Sequence, residues 1–227
     1  MQPIRVFCFH QTSESFDPRV YAEPDWIALQ ELKQKLLSMK QEGYAFISLS
    51  EAYRHICKDK LRFKKYAMLT CDDGLRCQAA LIPWLEENHI PMTMFVNIST
   101  LDGKTCGEQI VEYYGIQTKE QEAQLAHILY MTKEELSQLD SPIIEIGLHG
   151  YDHSDVTTLS SKEFLRGVNE SISALQTHTR FVPFYAYAYG RHTNQTDELL
   201  RQLNIVPVYI DGQKNDNDAS CIHRELI

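Results

Sequence analysis

The chain has 227 residues, enough for one large domain or two small ones with a substantial hydrophobic core. Its apolar fraction of 43% and charged fraction of 23% are ordinary for a soluble globular protein. The formal net charge of −9 argues against a nucleic acid or an anionic membrane surface as the main partner. Because no apolar stretch approaches the ~20 residues that span a bilayer, we expect no transmembrane segment. The first residues lack a signal-peptide pattern, so we expect a cytoplasmic protein.

Short apolar runs rich in β-forming residues recur along the chain, and most are continuous rather than alternating. Such runs are typical of strands that are buried on both faces. They cover residues 4–9, 44–49, 66–71, 92–97, 143–148, 182–189 and 206–210.

Helical patterns separate most of these predicted strands. They cover residues 25–43, 76–88, 132–139 and 160–178. Pro83 indicates a kink or a break in the second of them, and Ser160 with Glu163 has the spacing of a capping box. Strands that alternate with helices predict parallel pairing through right-handed crossovers. Seven or eight such units predict an α/β fold of the TIM-barrel type, closed or nearly closed.

The segment 101–131 interrupts this alternation with a long polar and aromatic stretch. The sequence shows no internal repeat, no low-complexity segment and no linker rich in proline, glycine or serine. We therefore predict a single catalytic domain over residues 1–227, with an insert at about 101–131.

Titratable side chains follow three of the predicted strands. Asp72 and Asp73 come after the strand at 66–71, His149 and His153 come after 143–148, and Tyr189 ends 182–189. Because active residues of parallel α/β folds lie at the carboxyl ends of strands, we expect these groups to share one site.

Two imidazoles and one carboxylate are a common three-ligand set for a catalytic metal, and they leave positions open for water and substrate. We therefore expect one divalent metal ion, with zinc favoured and cobalt, nickel or iron also compatible with the ligands. A carboxylate beside such a cation stays ionised and can act as a general base near neutral pH. Two neighbouring aspartates can divide these roles, one as ligand and one as base.

Three motifs make the sequence similar to the polysaccharide deacetylases, which form carbohydrate esterase family four with its NodB-homology domain. The first is "TCDDG" (residues 70–74), the second is "HGYDH" (149–153) and the third is "YAYAYG" (185–190). The resemblance covers essentially the whole chain apart from the insert.

The resemblance implies a distorted (β/α)7 barrel and a metal-dependent hydrolase that removes an N-acetyl group from a carbohydrate. Matched residue by residue, Asp73 would bind the metal together with His149 and His153. Asp72 would be the general base, and the backbone N–H of Tyr189 would help to hold the oxyanion.

The sequence also departs from the pattern of the family. Gly150 replaces a serine or threonine, and Ala186 stands where some members carry an arginine that orients the base. The histidine that serves the family as general acid has no clear match. His223 is our first candidate for this role and His192 the second.

Three residues are predicted to contact the substrate. His10 ends the first strand, where family members often have a histidine near the site. Tyr187 belongs to an aromatic strand that can stack on sugar rings, and His192 follows that strand.

Our interpretation is a carbohydrate deacetylase that acts on a polysaccharide or a glycan precursor. One alternative is a deformylase or amidase that acts on a small non-sugar amide. Another is a catalytically silent relative that binds glycan or metal, which the missing arginine and acid favour and which the intact Asp72 disfavours. The sequence leaves the sugar, the metal and the oligomeric state open.

Overall fold

Parallel strands closed into a ring form the centre of the protein. The computed structural model describes residues 4–22, 25–57, 65–215 and 220–227. Over these residues the strands are β1 (Ile4–Phe9), β2 (Gln11–Ser13), β3 (Trp26–Ala28), β4 (Tyr44–Phe46), β5 (Lys65–Cys71), β6 (Met92–Val96), β7 (Ile144–Leu148), β8 (Phe181–Ala186), β9 (Val206–Ile210) and β10 (Ile222–Leu226).

Seven of the described strands make the barrel, in the order β1, β10, β9, β8, β7, β6 and β5. The ring closes where β1 pairs with β5, from Ile4 opposite Tyr66 through Phe9 opposite Cys71. All pairs in the ring are parallel, and β4 adds to the beginning of β5 outside it. The predicted (β/α)7 barrel is therefore confirmed, and the carboxyl ends of its strands meet at one end.

Helices cover the outside of the barrel. The described helices are α1 (Leu29–Gln41), α2 (Leu49–Cys57), α3 (Arg76–Ala80), α4 (Ile82–Glu87), α5 (Glu108–Tyr113), α6 (Lys119–Leu129), α7 (Lys133–Ser137), α8 (Ser161–Leu175) and α9 (Asn194–Gln202). Ser160 caps α8 in a box with Glu163, as the sequence predicted. Pro83 lies in the first turn of α4, and the predicted break separates α3 from α4. None of the described helices is both long and apolar enough to span a membrane.

Alternation of side chains along the strands creates two apolar layers. One set of alternate residues fills the barrel, and it includes Val6, Met68, Phe95, Phe184 and Val208. The other set packs beneath the helices. It includes Phe7, Leu69, Met94 and Ile146, which belong to the same apolar cluster as the helix residues Leu32, Leu85 and Phe164. Polar side chains take inner positions at both ends of the barrel. Near the amino end Thr93 Oγ1 donates to Glu145 Oε2 at 2.9 Å, and near the carboxyl end the polar residues surround a cavity.

Several elements differ from the sequence prediction, which did not include α2, α9, β2 or β3 and ended β4 later than Phe46. Three further differences concern α1, β8 and β10. Helix α1 begins at Leu29 because Trp26 lies in β3, where its indole N–H donates to Ser13 Oγ at 2.8 Å. Strand β8 ends at Ala186 because the backbone turns at the next residues. Strand β10 was not predicted, because its sequence "IHREL" is not a continuous apolar run.

The insert at 101–131 forms α5 and α6 and packs an apolar cluster of its own against the loop that follows β5. This cluster consists of Leu75, Cys106, Leu125, Ala126, Leu129 and Tyr130. Leu75 and Tyr130 form an antiparallel bridge, and the N–H of Met131 donates to the carbonyl of Gly74 at 3.1 Å. The insert is thereby anchored beside the aspartate pair. That the chain is a single domain stays a prediction.

Candidate active site

The carboxyl ends of the barrel strands surround a cavity of about 240 Å³. Asp72 and Asp73 follow β5, Asn97 follows β6, His149 follows β7 and Tyr189 follows β8. The insert contributes one wall through Gly107, Ile110 and Tyr130. The cavity is therefore lined both by polar residues at the strand ends and by residues of the insert.

Asp73, His149 and His153 converge on one point of this cavity. Asp73 Oδ1 lies 3.4 Å from His149 Nε2 and 3.3 Å from His153 Nε2. A metal ion bound tetrahedrally at about 2.0–2.2 Å from each ligand requires donor atoms roughly 3.3–3.6 Å apart. The two distances agree with this requirement. The three donor atoms all lie within 4.8 Å of one another, so the predicted set of one carboxylate and two imidazoles could hold a divalent cation.

Strand β8 and the turn after it supply hydrogen-bond partners for the outer nitrogens of both histidines. His149 Nδ1 is 2.9 Å from the carbonyl oxygen of Ala186, and His153 Nδ1 is 2.8 Å from the hydroxyl of Tyr189. A carbonyl only accepts, so Nδ1 of His149 carries the proton and donates. In the neutral ring, Nε2 of His149 then presents a lone pair toward Asp73, as a metal ligand must.

Charges in the cavity perturb the ionisation of these residues. Burial alone would raise the pKa of Asp73, but the adjacent imidazoles of His149 and His153 hold it well below its usual range. Burial would lower the pKa of His153, but the adjacent Asp73 carboxylate raises it above the ordinary histidine value. The site is therefore set up to keep its carboxylate ionised.

Backbone strain is concentrated at the same place. The left-handed region of φ, which residues with a Cβ rarely adopt, contains Asp73 at 76°, His153 at 61° and Tyr189 at 58°. Gly150 has φ 87°, and a Cβ there would lie 3.0 Å from the hydroxyl of Tyr185. The glycine at this motif position therefore has a physical reason in this chain, because a serine or threonine would be both strained and crowded.

Asp72 is fully buried and forms an ion pair with Arg224 of β10. Arg224 Nη1 lies 2.6 Å from Asp72 Oδ1, and Arg224 Nη2 lies 2.8 Å from Asp72 Oδ2. Burial would raise the pKa of Asp72, but the positive charge of Arg224 outweighs it and lowers that pKa to about 2. The arginine that the sequence analysis found missing has a counterpart beside Asp72. Position 186 has none, but β10 supplies the guanidinium from a different part of the sequence.

His10 and Tyr187 both line the cavity, where they were predicted to contact substrate. His10 Nε2 is 3.9 Å from Asp72 Oδ2, and its imidazole is partly exposed. The ring of Tyr187 is almost completely buried, and its hydroxyl donates to Asp197 of α9 at 2.9 Å. That hydroxyl is therefore engaged on the helix side of the barrel wall.

His192 and His223 lie elsewhere and are not among the described residues that line the cavity. His192 stacks on Tyr209 with ring centroids 4.1 Å apart, and its Nδ1 is 3.2 Å from Asp197 Oδ2. His223 Nδ1 is 2.9 Å from Asp211 Oδ2. Because neighbouring residues of a strand face opposite ways, β10 directs Arg224 into the barrel and His223 away from it.

A model of the family described as polysaccharide deacetylase matches residues 60–208 of the chain. No curated protein matches it. Three solved structures are similar over nearly all of both chains. IcaB from Ammonifex degensii is 22% identical, with coverage of 100% of this chain and 92% of that chain and a TM-score of 0.75. A Streptococcus pyogenes deacetylase, PplD, in complex with acetate is 20% identical, with coverage of 99% and 92% and a TM-score of 0.74. A de-N-acetylase from Aggregatibacter actinomycetemcomitans is 18% identical, with coverage of 100% and 95% and a TM-score of 0.77.

Proposed function

Because the chain belongs to the polysaccharide deacetylase family, we propose that it is a metal-dependent hydrolase that removes an N-acetyl group from a carbohydrate. One observation carries the proposal. The cavity holds a ligand set for a cation, and beside it lies a second carboxylate that an arginine keeps ionised. A binding protein needs no ionised base next to its metal ligands, so the arrangement favours catalysis over a silent relative.

In this proposal the cation is held by Asp73, His149 and His153. When bound, a divalent ion such as zinc polarises the acyl carbonyl and increases the acidity of water. The ligand set is also compatible with cobalt, nickel or iron.

Asp72 takes the proton from the attacking water. Arg224 contacts both carboxylate oxygens of Asp72, and each oxygen keeps a further lone pair that can accept a proton. The ion pair holds the carboxylate ionised and in one orientation. The backbone N–H of Tyr189, in the turn after β8, donates to the oxygen on which negative charge develops.

His10 delivers a proton to the leaving nitrogen. It is the candidate imidazole that lines the cavity without belonging to the ligand set, while His192 and His223 are held by carboxylates elsewhere. Its position 3.9 Å from Asp72 puts the acid and the base on adjacent sides of the reacting group. We therefore move the role of general acid from His223 to His10.

The acetamido group of a hexosamine unit is the substrate group we propose, with Tyr187 contributing to the wall of the pocket. A cytoplasmic protein would meet a lipid-linked or nucleotide-linked precursor rather than a finished polymer. That location stays a prediction, which cell fractionation of the tagged protein would test.

The decisive experiment measures bound metal by elemental analysis and acetate release from N-acetylated oligosaccharides. Wild type should bind one divalent ion per chain and release acetate, Asp72→Asn should keep the metal without activity, and Asp73→Asn should lose both. Asp140→Asn, at an exposed carboxylate near the opposite end of β7, is the matched control. Metal binding without any acetate release would support a silent relative. Formate release would instead indicate a deformylase.

A further inference from the structure

Two residues at and just after the end of β8 form hydrogen bonds with the Nδ1 atoms of the two histidines in the ligand set. The two residues offer different kinds of oxygen atom. Ala186 offers a backbone carbonyl to His149, and Tyr189 offers a hydroxyl to His153. The carbonyl fixes the proton of His149 on Nδ1. A hydroxyl can donate as well as accept, so only its orientation decides which nitrogen of His153 is protonated.

The backbone conformation of Tyr189 and the side chains around its ring fix the position of its hydroxyl. Its backbone is held at φ 58°, and its ring meets the ring of His153 edge-on with centroids 4.6 Å apart. Arg191 lies over the Tyr189 ring at 5.9 Å and forms an ion pair with Asp155 at 2.7 Å. This ion pair ties the turn after β8 to the loop that carries His153.

We propose that the hydroxyl of Tyr189 is a positioning group for the metal site. It accepts the Nδ1–H of His153, and it thereby leaves the Nε2 lone pair directed at the point shared with Asp73 and His149. This inference rests on the proposed metal site and adds to it a role for the Tyr189 side chain. The role is distinct from that of the backbone N–H of the same residue.

Two observations favour a role in positioning the histidine over a merely structural contact. The hydrogen bond to Nδ1 is short, at 2.8 Å, while Nε2 of the same ring faces Asp73 Oδ1 at 3.3 Å. The Tyr189 side chain is partly exposed and lines the cavity, so it contributes little burial to the core. Loss of its hydroxyl should therefore act on the histidine rather than on the fold.

The test measures the dissociation constant for Zn²⁺ by competition with a chromophoric chelator. Tyr189→Phe keeps the ring and the backbone, and it should weaken zinc binding by roughly 10- to 100-fold, as loss of a hydrogen bond to a ligating histidine does elsewhere. Tyr113→Phe, at an exposed tyrosine of the insert, should bind zinc like wild type. Circular dichroism of the metal-free proteins verifies that both variants are folded.

A double-mutant cycle shows whether Tyr189 acts through His153. In a His153→Ala background, adding Tyr189→Phe should change zinc affinity less than threefold, because the group that it positions is gone. Equal zinc affinity of wild type and Tyr189→Phe would overturn this inference while leaving the proposed function intact. The same losses from Tyr189→Phe in both backgrounds would also overturn it. A wild type that binds no zinc would overturn the proposed metal site, and this inference with it.

Discussion

Arg224 of β10 reaches past β1 to Asp72 and contacts both oxygens of its carboxylate, although 152 residues separate the two in the sequence. The guanidinium also donates to Thr70 Oγ1 at 3.1 Å and to the carbonyl of Tyr209 at 3.3 Å. The arginine is almost completely buried, so solvent ions screen its attraction to Asp72 only weakly. Removal of either charge would leave the other unpaired in the interior.

We expect Arg224→Gln to lower the free energy of unfolding by about 3–5 kcal/mol, because it leaves a buried carboxylate without its counter-ion. Combining it with Asp72→Asn should recover most of that loss, since two neutral amides replace the two charges. Both variants should be inactive as deacetylases. Urea unfolding followed by circular dichroism measures the difference. A single variant as stable as the double variant would show that the ion pair does not matter for stability.

The pKa of Asp72 predicts how the pair responds to acid. That pKa is lowered to about 2 in the folded protein, against about 3.9 for an unfolded aspartate. The stabilisation is therefore fully present above about pH 4, and it is lost as the pH falls toward 2. Urea unfolding of wild type and of the Asp72→Asn, Arg224→Gln double variant, compared between pH 6 and pH 2.5, should show a difference that shrinks with acid. A difference independent of pH would contradict the assignment.

His10→Gln separates the general acid from other roles. Turnover of an N-acetyl substrate should fall by roughly 10²–10⁴-fold, because the leaving amine no longer receives a proton. Hydrolysis of an activated acetate ester should change less than tenfold, since its leaving group needs none. His223→Gln tests the alternative candidate and should affect neither reaction. If His223→Gln shows the selective loss and His10→Gln does not, the role returns to the residue first predicted from the sequence.

Zinc should stabilise the protein as well as activate it. At a free concentration 100 times the dissociation constant, a ligand that binds only the folded state adds about 2.7 kcal/mol. For a chain of this size that corresponds to a rise in Tm of roughly 5–10 °C. Asp73→Asn should abolish the rise, and a chelator should reverse it in wild type. Differential scanning calorimetry with and without zinc makes the measurement, and an equal rise in Asp73→Asn would place the ion elsewhere.

Substitution by alanine at two glycines should change the stability of the protein in opposite directions. A Cβ on Gly147 in β7 would lie 2.6 Å from ring carbons of Phe95, so Gly147→Ala should destabilise the protein by about 1–3 kcal/mol. A Cβ on Gly167, inside α8, would make an ordinary contact of 3.6 Å with Tyr151. Gly167→Ala should therefore stabilise the protein by about 0.5–1 kcal/mol. Thermal unfolding distinguishes the two, and a stabilising Gly147→Ala would mean that the barrel interior is looser than described.

The sequence predicted the barrel and the grouping of Asp73, His149 and His153 because both depend on local patterns. Continuous apolar runs give buried strands, and parallel strands bring their carboxyl ends together. Arg224 could not be found in this way. Its strand is short and carries three charged or titratable residues, and its partner is distant in the sequence.

The sequence analysis also did not assign the orientation of the side chains in β10. We predicted His223 as the general acid because it is a histidine. The register of β10 instead turns His223 outward and Arg224 inward. Alternation in "IHREL", with Ile222 and Leu226 on the same face as Arg224, was the signal available for this. The contact of the Tyr189 hydroxyl with His153 depends on a positive φ angle in a turn that interrupts the predicted strand.

The place of β10 between β9 and β1 means that the strand that closes the ring also brings a positive charge to Asp72. Without β10 the ring would have a gap between β9 and β1, and Asp72 would lose the guanidinium that contacts both of its oxygens. In the proposed mechanism Asp72 is the base, so a barrel that lacks this strand would have no oriented base, and hydrolytic competence would depend on the completed ring.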